Sequence, residues 1–227
     1  GLVGSEMCIR DSDTLAQYIN EHPDRFVGFA TLPINEPKAA EEEFKRCVKE
    51  LGFKGALIMG HPKSGFLDQD EYDGIFAVAE DLNDPIYLHP SPVQSDVYQA
   101  YYKGNYSDVT AATFACFGYG WHVDLGIHAI HLVLSGVFDR HPNLNMIIGH
   151  WGEFVPFFLE RMDDILFADH LEHPISYYFK NNFYITPSGM LTKPQFDLVK
   201  AEVGVDRILY SADYPYVEPE KLGTFLD

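Results

Sequence analysis

The chain has 227 residues and a formal net charge of −18. Such an excess of carboxylates argues against nucleic acid or an anionic membrane surface as a partner. Its 46% hydrophobic and 15% aromatic content is that of a folded domain, and no apolar run approaches the roughly 20 residues of a membrane span. Cys8, Cys47 and Cys116 lie far apart with no CxxC pair, which predicts free thiols in a reducing, cytoplasmic setting.

Residues 1–12, "GLVGSEMCIRDS", have neither strand nor helix periodicity and are expected to form a non-native or disordered leader ahead of one domain, 13–227. "TLAQYINEHPD" then predicts a helix closed by Pro23, and "RFVGFATLP" (25–33) a strand. Residues 36–52 predict a helix, with proline near its start and Gly52 at its end. A strand at 53–59, a helix at 71–83 and a strand at 85–90 follow. After a tyrosine- and glycine-rich insertion (91–121), the pattern predicts a helix at 122–142, a strand at 144–150 and a helix at 154–171. A strand at 181–188, a helix at 192–204 and a sixth strand at 207–215 complete the series. Alternating helices and apolar strands specify an α/β fold with parallel strands; a doubly wound sheet and a β/α barrel both fit. No glycine-rich phosphate loop follows any strand. The insertion is long enough, and aromatic enough, to predict an ordered lid.

Polar residues gather where the strands end. His89 closes the strand at 85–90, His150 closes 144–150 with Glu153 opening the next helix, and Asp213 ends 207–215. In parallel β/α folds these ends share one face, so two imidazoles and a carboxylate would converge there, a ligand set for a divalent cation such as Zn²⁺ or Mn²⁺. Each has a plainer reading: a hydrogen-bonded histidine, an aspartate at a turn, a glutamate beside a helix dipole, and an Arg161 paired with Asp164. His128 and His131 share one helix face and read as packing residues, whereas His61 follows a strand on the same face as the site.

"YLHP", "LSGVFDRHPNLNMIIGHWGE", "PISYYFKNNFYITPSGM" and "DRILYSADYPY" resemble the amidohydrolase-related superfamily, and within it the metal-dependent aromatic acid decarboxylases. The resemblance implies a TIM-like (β/α)8 barrel with one divalent metal ion (Zn, Mn or Mg) at its C-terminal face. His89 and Asp213 would be metal ligands, and Asp213 also catalytic. His150 and Glu153 would be the catalytic pair, Arg161 would hold that pair or the substrate, and Tyr216 would meet the substrate ring. It further implies a small aromatic carboxylic acid as substrate and a homo-oligomer, dimer or tetramer. The ExH or HxH ligand pair of the family's first strand is absent here, so about six of eight strands are expected, in a fragment of a longer product. Two other functions remain open: a metal-dependent hydrolase of a lactone or C–N bond, and an inactive fragment. Tyr98, Tyr101, Tyr102, Tyr106 and Phe114 of the insertion are candidates to cover the substrate.

Overall fold

Five short strands form one parallel sheet in chain order: β1 (Ala30–Thr31), β2 (Ala56–Met59), β3 (Ile86–His89), β4 (Met146–Ile148) and β5 (Phe183–Ile185). The computed structural model describes residues 2–62, 65–218, 220, 223 and 225. Between the strands lie α2 (Pro37–Leu51) and α3 (Asp73–Leu82), then α4 (Ser95–Val97), α5 (Asp108–Ala115), α6 (Gly120–Leu134) and α7 (Val137–Arg140). Beyond β4 come α8 (Val155–Ile165) and α9 (Ile175–Asn181), and α10 (Lys193–Val203) follows β5. A sheet whose neighbours keep chain order is barrel-like; a doubly wound sheet would reverse its order at a switch point.

The register explains which way the strands face. Ile58, Leu88, Ile148 and Ile185 form one paired row with at most 1% exposure, turned to the helices. The alternate row contains Leu57, Tyr87, Ile147 and Tyr184, and Met59 beside His89 continues that face. Covered helices thus meet one side of the sheet, while the other carries the polar and aromatic groups. In α2 the buried positions Ala40, Phe44 and Cys47 recur at helical spacing, and Gly52 ends the helix in the left-handed region (φ 73°), as expected. Phe179 and Phe183 stack with centroids 4.4 Å apart, and Phe138 lies 5.0 Å from Phe183.

Four expectations are corrected. Residues 2–12 are not without structure: α1 (Leu2–Glu21) runs through them into the expected helix, with Ser12 buried and bonded to the Cys8 carbonyl. The helix expected at 122–142 breaks at Gly136 (φ 72°), which separates α6 from α7. The sixth strand shrinks to one bridge, Ile185 with Ile208, where the Leu209 N–H donates to the Ile185 carbonyl. The insertion is helical, but of its four candidate tyrosines only Tyr102 is buried, and Tyr101 is 75% exposed. Among the described residues no helix is long and apolar enough to cross a membrane.

Candidate active site

β4 ends at Ile148, and the backbone then does something unusual. His150, Trp151, Gly152, Glu153 and Phe154 all have positive φ, from 46° to 82°. Left-handed conformations cost a non-glycine residue about 1 kcal/mol or more, so such a run persists only where its surroundings fix it. Trp151 provides one anchor: it is 4% exposed, its N–H donates to the Thr186 carbonyl (3.0 Å), and its indole donates to the Met190 carbonyl. A second anchor is α6, which approaches so closely that a Cβ on Gly126 would lie 2.5 Å from the Glu153 carbonyl oxygen.

The turn brings His150 and Glu153 together, with His150 Nδ1 2.5 Å from Glu153 Oε1. The other carboxylate oxygen is taken by a residue absent from the expected set: His122 Nδ1 lies 2.8 Å from Glu153 Oε2. The Glu153 side chain is fully buried and each histidine side chain 12% exposed, with the two rings edge to face at 4.4 Å. His122 Nε2 lies 3.0 Å from the Trp121 indole nitrogen and 3.2 Å from the Phe117 carbonyl oxygen; in the neutral tautomer whose Nε2 accepts the Trp121 N–H, Nδ1 carries the proton and donates it to Glu153. Burial lowers the His122 pKa, but the hydrogen bond and charge of Glu153 outweigh it, and the net shift is upward.

These residues open on a cavity of about 590 Å³. Its lining combines the aromatic rings of Phe117, Trp121, Phe154 and Phe157 with the polar side chains of His122, His150, Glu153, Ser188 and Asp213, and Trp121 and Phe154 lie directly beside His122. Ser188 and Asp213 also have positive φ (42° and 60°). The Tyr87 hydroxyl lies 2.9 Å from Ser188 Oγ, and burial chiefly pushes its pKa up, with the charges of Glu153 and Asp213 adding to the effect. The insertion contributes through its C-terminal end, Phe117 to Trp121, rather than through Phe114 or the tyrosines.

The expected residues divide accordingly. His150, Glu153 and Asp213 meet at one cavity. His89 is half-buried at the end of β3, its Nδ1 2.7 Å from the Pro90 carbonyl; among the described residues its Nε2 has no hydrogen-bond partner, and His89 does not line the cavity. Arg161 is exposed on α8, and the hydrogen bonds to Glu153 come from His122 and His150. Tyr216 is 87% exposed: its N–H and that of Val217 both donate to the Asp213 carbonyl, and this tight turn puts Val217, not Tyr216, at the cavity. His122 was missed because it lies at a helix start, not a strand end. The only signal was a histidine following an aromatic, glycine-rich stretch.

Elsewhere on this face His61 Nε2 lies 3.2 Å from Asp124 of α6, whose carboxylate raises the histidine pKa. His128 is buried and accepts the Leu67 N–H, and His131 bonds Asp68, in keeping with a packing role. For a cation, His122, His150 and Glu153 each offer a ligand atom within 4.8 Å of the others. His89 Nε2 and the Asp213 carboxylate are donors of the type that zinc and manganese accept.

The amidohydrolase family profile matches residues 3–225. The γ-resorcylate decarboxylase of Rhizobium sp. (strain MTP-10005) is 37% identical over 227 residues, 93% of this chain and 66% of that protein. A putative amidohydrolase from Staphylococcus aureus, known as a crystal structure, superposes with a TM-score of 0.97 and 76% identity, covering 98% of this chain and 73% of the other. The dihydroxybenzoic acid decarboxylase of Polaromonas sp. JS666, crystallised with manganese and the inhibitor 2-nitroresorcinol, gives 0.87 and 33% identity, over 97% and 68%. The chain spans about two thirds of the length of the curated relatives it matches.

Proposed function

Starting from the fact that this chain belongs to the amidohydrolase family, we propose that it serves a metal-dependent, non-oxidative decarboxylase of a hydroxylated aromatic carboxylic acid. One observation carries this reading: a buried His–Glu–His array and several aromatic rings line one cavity, large enough for a substituted benzene ring. The kinship to decarboxylases of dihydroxybenzoates supports it.

The chemistry needs a proton delivered to the ring carbon that bears the carboxylate, and then cleavage of the C–C bond. The bonding pair returns to the ring, aromaticity is restored, CO₂ leaves, and the proton is replaced from solvent. His150 and Asp213 are the two groups placed to deliver it. With Nδ1–H held by Glu153, the imidazole of His150 is fixed in one tautomer and orientation, leaving Nε2 for proton exchange. Phe117, Phe154 and Phe157 are 63%, 47% and 69% exposed, and with Trp121 they offer apolar ring surface that a bound aromatic substrate would cover. A divalent ion held by His89 and Asp213 would supply the positive charge that clamps the carboxylate and an ortho-hydroxyl. The test is a panel of hydroxylated benzoates with added Mn²⁺ or Zn²⁺ under anaerobic conditions, scored by CO₂ release and by deuterium entering the vacated ring position from D₂O. Consumption of water with lactones, and no CO₂ from any benzoate, would assign a hydrolase instead.

A further inference from the structure

We propose that His122 is a positioning residue for the His150–Glu153 pair: it holds the far oxygen of Glu153, so that the near oxygen presents His150 to the cavity in one orientation. The inference rests on the decarboxylase reading for its kinetic consequence but not for its geometry. Glu153 is fully buried and hydrogen-bonded through both oxygens, to His150 Nδ1 at 2.5 Å and His122 Nδ1 at 2.8 Å. A buried carboxylate left with one partner would lose a charge-assisted bond and could rotate about its terminal torsion, which is broad in glutamate. His122 closes that freedom. Its own ring is fixed at the other edge by the Trp121 indole, 3.0 Å from Nε2, and Trp121 is one of the aromatic rings lining the cavity. A continuous line of hydrogen bonds therefore joins that lining to His150: Trp121 to His122, His122 to Glu153, and His150 to the same carboxylate.

Both nitrogens of His122 are engaged, Nδ1 with Glu153 and Nε2 with Trp121 and the Phe117 carbonyl, so although its ring borders the cavity it offers no free polar atom there. It acts through Glu153. The arrangement also explains why α6 must approach the turn as closely as Gly126 permits: a larger gap would break the Nδ1–Oε2 bond.

The test combines kinetics with NMR on the metal-loaded enzyme. His122→Phe should lower kcat by about 10- to 100-fold, the range typical of an outer residue that orients a reacting group, with KM within about two-fold. His122→Asn, whose amide can still donate to the carboxylate, should restore most of that loss. In a Glu153→Gln background, His122→Phe should cost less than about two-fold, because its target has already been altered. Equal losses in both backgrounds, or an unchanged kcat, would overturn the proposal. Where no benzoate is turned over, the decarboxylase reading fails, and NMR then decides this inference alone. The deshielded Nδ1 proton of His150 should be sharp in the parent and broadened or shifted upfield in His122→Phe. An identical resonance in both would refute it.

Discussion

His128 should make this protein sensitive to mild acid. The side chain is 1% exposed, and its Nε2 accepts the Leu67 N–H at 3.1 Å, so the ring must be neutral at Nε2 in the folded state. Burial, reinforced by His61, pushes its pKa down from 6.5 to about 3. A base with a depressed folded pKa binds protons in the unfolded chain first. Its contribution is therefore complete above about pH 6.5 and is lost as pH falls towards 3. At about 1.4 kcal/mol per pH unit, the loss reaches about 2 kcal/mol at pH 5 and about 4 kcal/mol near pH 3. The lowered carboxylates act below the window from pH 5 to 6.5, whereas His61 and His122, both raised, act above it with the opposite sign and contribute equally to the parent and to a His128 variant. His61, raised by Asp124, supplies stability that is full below 6.5 and lost as pH rises through its higher pKa. Asp68, Asp73 and Glu43, all lowered, lose theirs only near and below the ordinary carboxylate range. Urea unfolding at pH 8 and pH 5 should show the difference in the parent. In His128→Gln, which can still accept the Leu67 N–H but does not titrate in this range, the difference should shrink by about 2 kcal/mol. The same pH dependence in both proteins would refute the reasoning, whatever the variant costs at pH 8.

Other expectations are simpler. Phe179→Ala removes a fully buried ring stacked on Phe183 and should cost about 3–5 kcal/mol in chemical denaturation. Gly126→Ala places a methyl 2.5 Å from the Glu153 carbonyl oxygen; calorimetry should show about 1–3 kcal/mol of destabilisation, and turnover should fall as the turn moves. Glu153→Gln should reduce kcat by about 10²–10⁴-fold, the usual worth of acid–base assistance, with little change in unfolding midpoint if the amide keeps one of the two bonds. Chelation with EDTA should abolish CO₂ release, and Mn²⁺ should restore it; activity that survives exhaustive chelation would remove the metal from the proposed mechanism.

Much of the architecture was legible because apolar runs and helix stops are local signals. Pro37 and Gly52 bracket α2, and the Met146–Ile148 run forms β4 at the place its apolar sequence indicates. The strands were shorter than their apolar spans, because pairing also depends on what lies alongside: β1 keeps only two residues, and 207–215 pairs through Ile208 alone. His150, Glu153 and Asp213 could be found from strand ends, a rule that follows from parallel topology. His122 could not, since a helix N-terminus brings it to Glu153 from 31 residues upstream and no spacing rule covers that distance. Arg161 and Tyr216 rest on motif position, and the structure places both on the exposed surface, the tyrosine by the turn that carries Val217 to the cavity. Residues 2–12 show how far local pattern can mislead, since a stretch without helical periodicity is continuous with a helix, α1, that packs against α2.

The left-handed turn at 150–154 sets heat resistance and turnover against each other. Phe154, at φ 67° and 47% exposed, could be replaced by glycine with relief of backbone strain, yet its ring forms part of the wall against which a substrate would lie. Laboratory selection for thermal tolerance alone should therefore drift towards glycine or asparagine there and degrade substrate affinity, while selection for catalysis should keep the uncomfortable conformation.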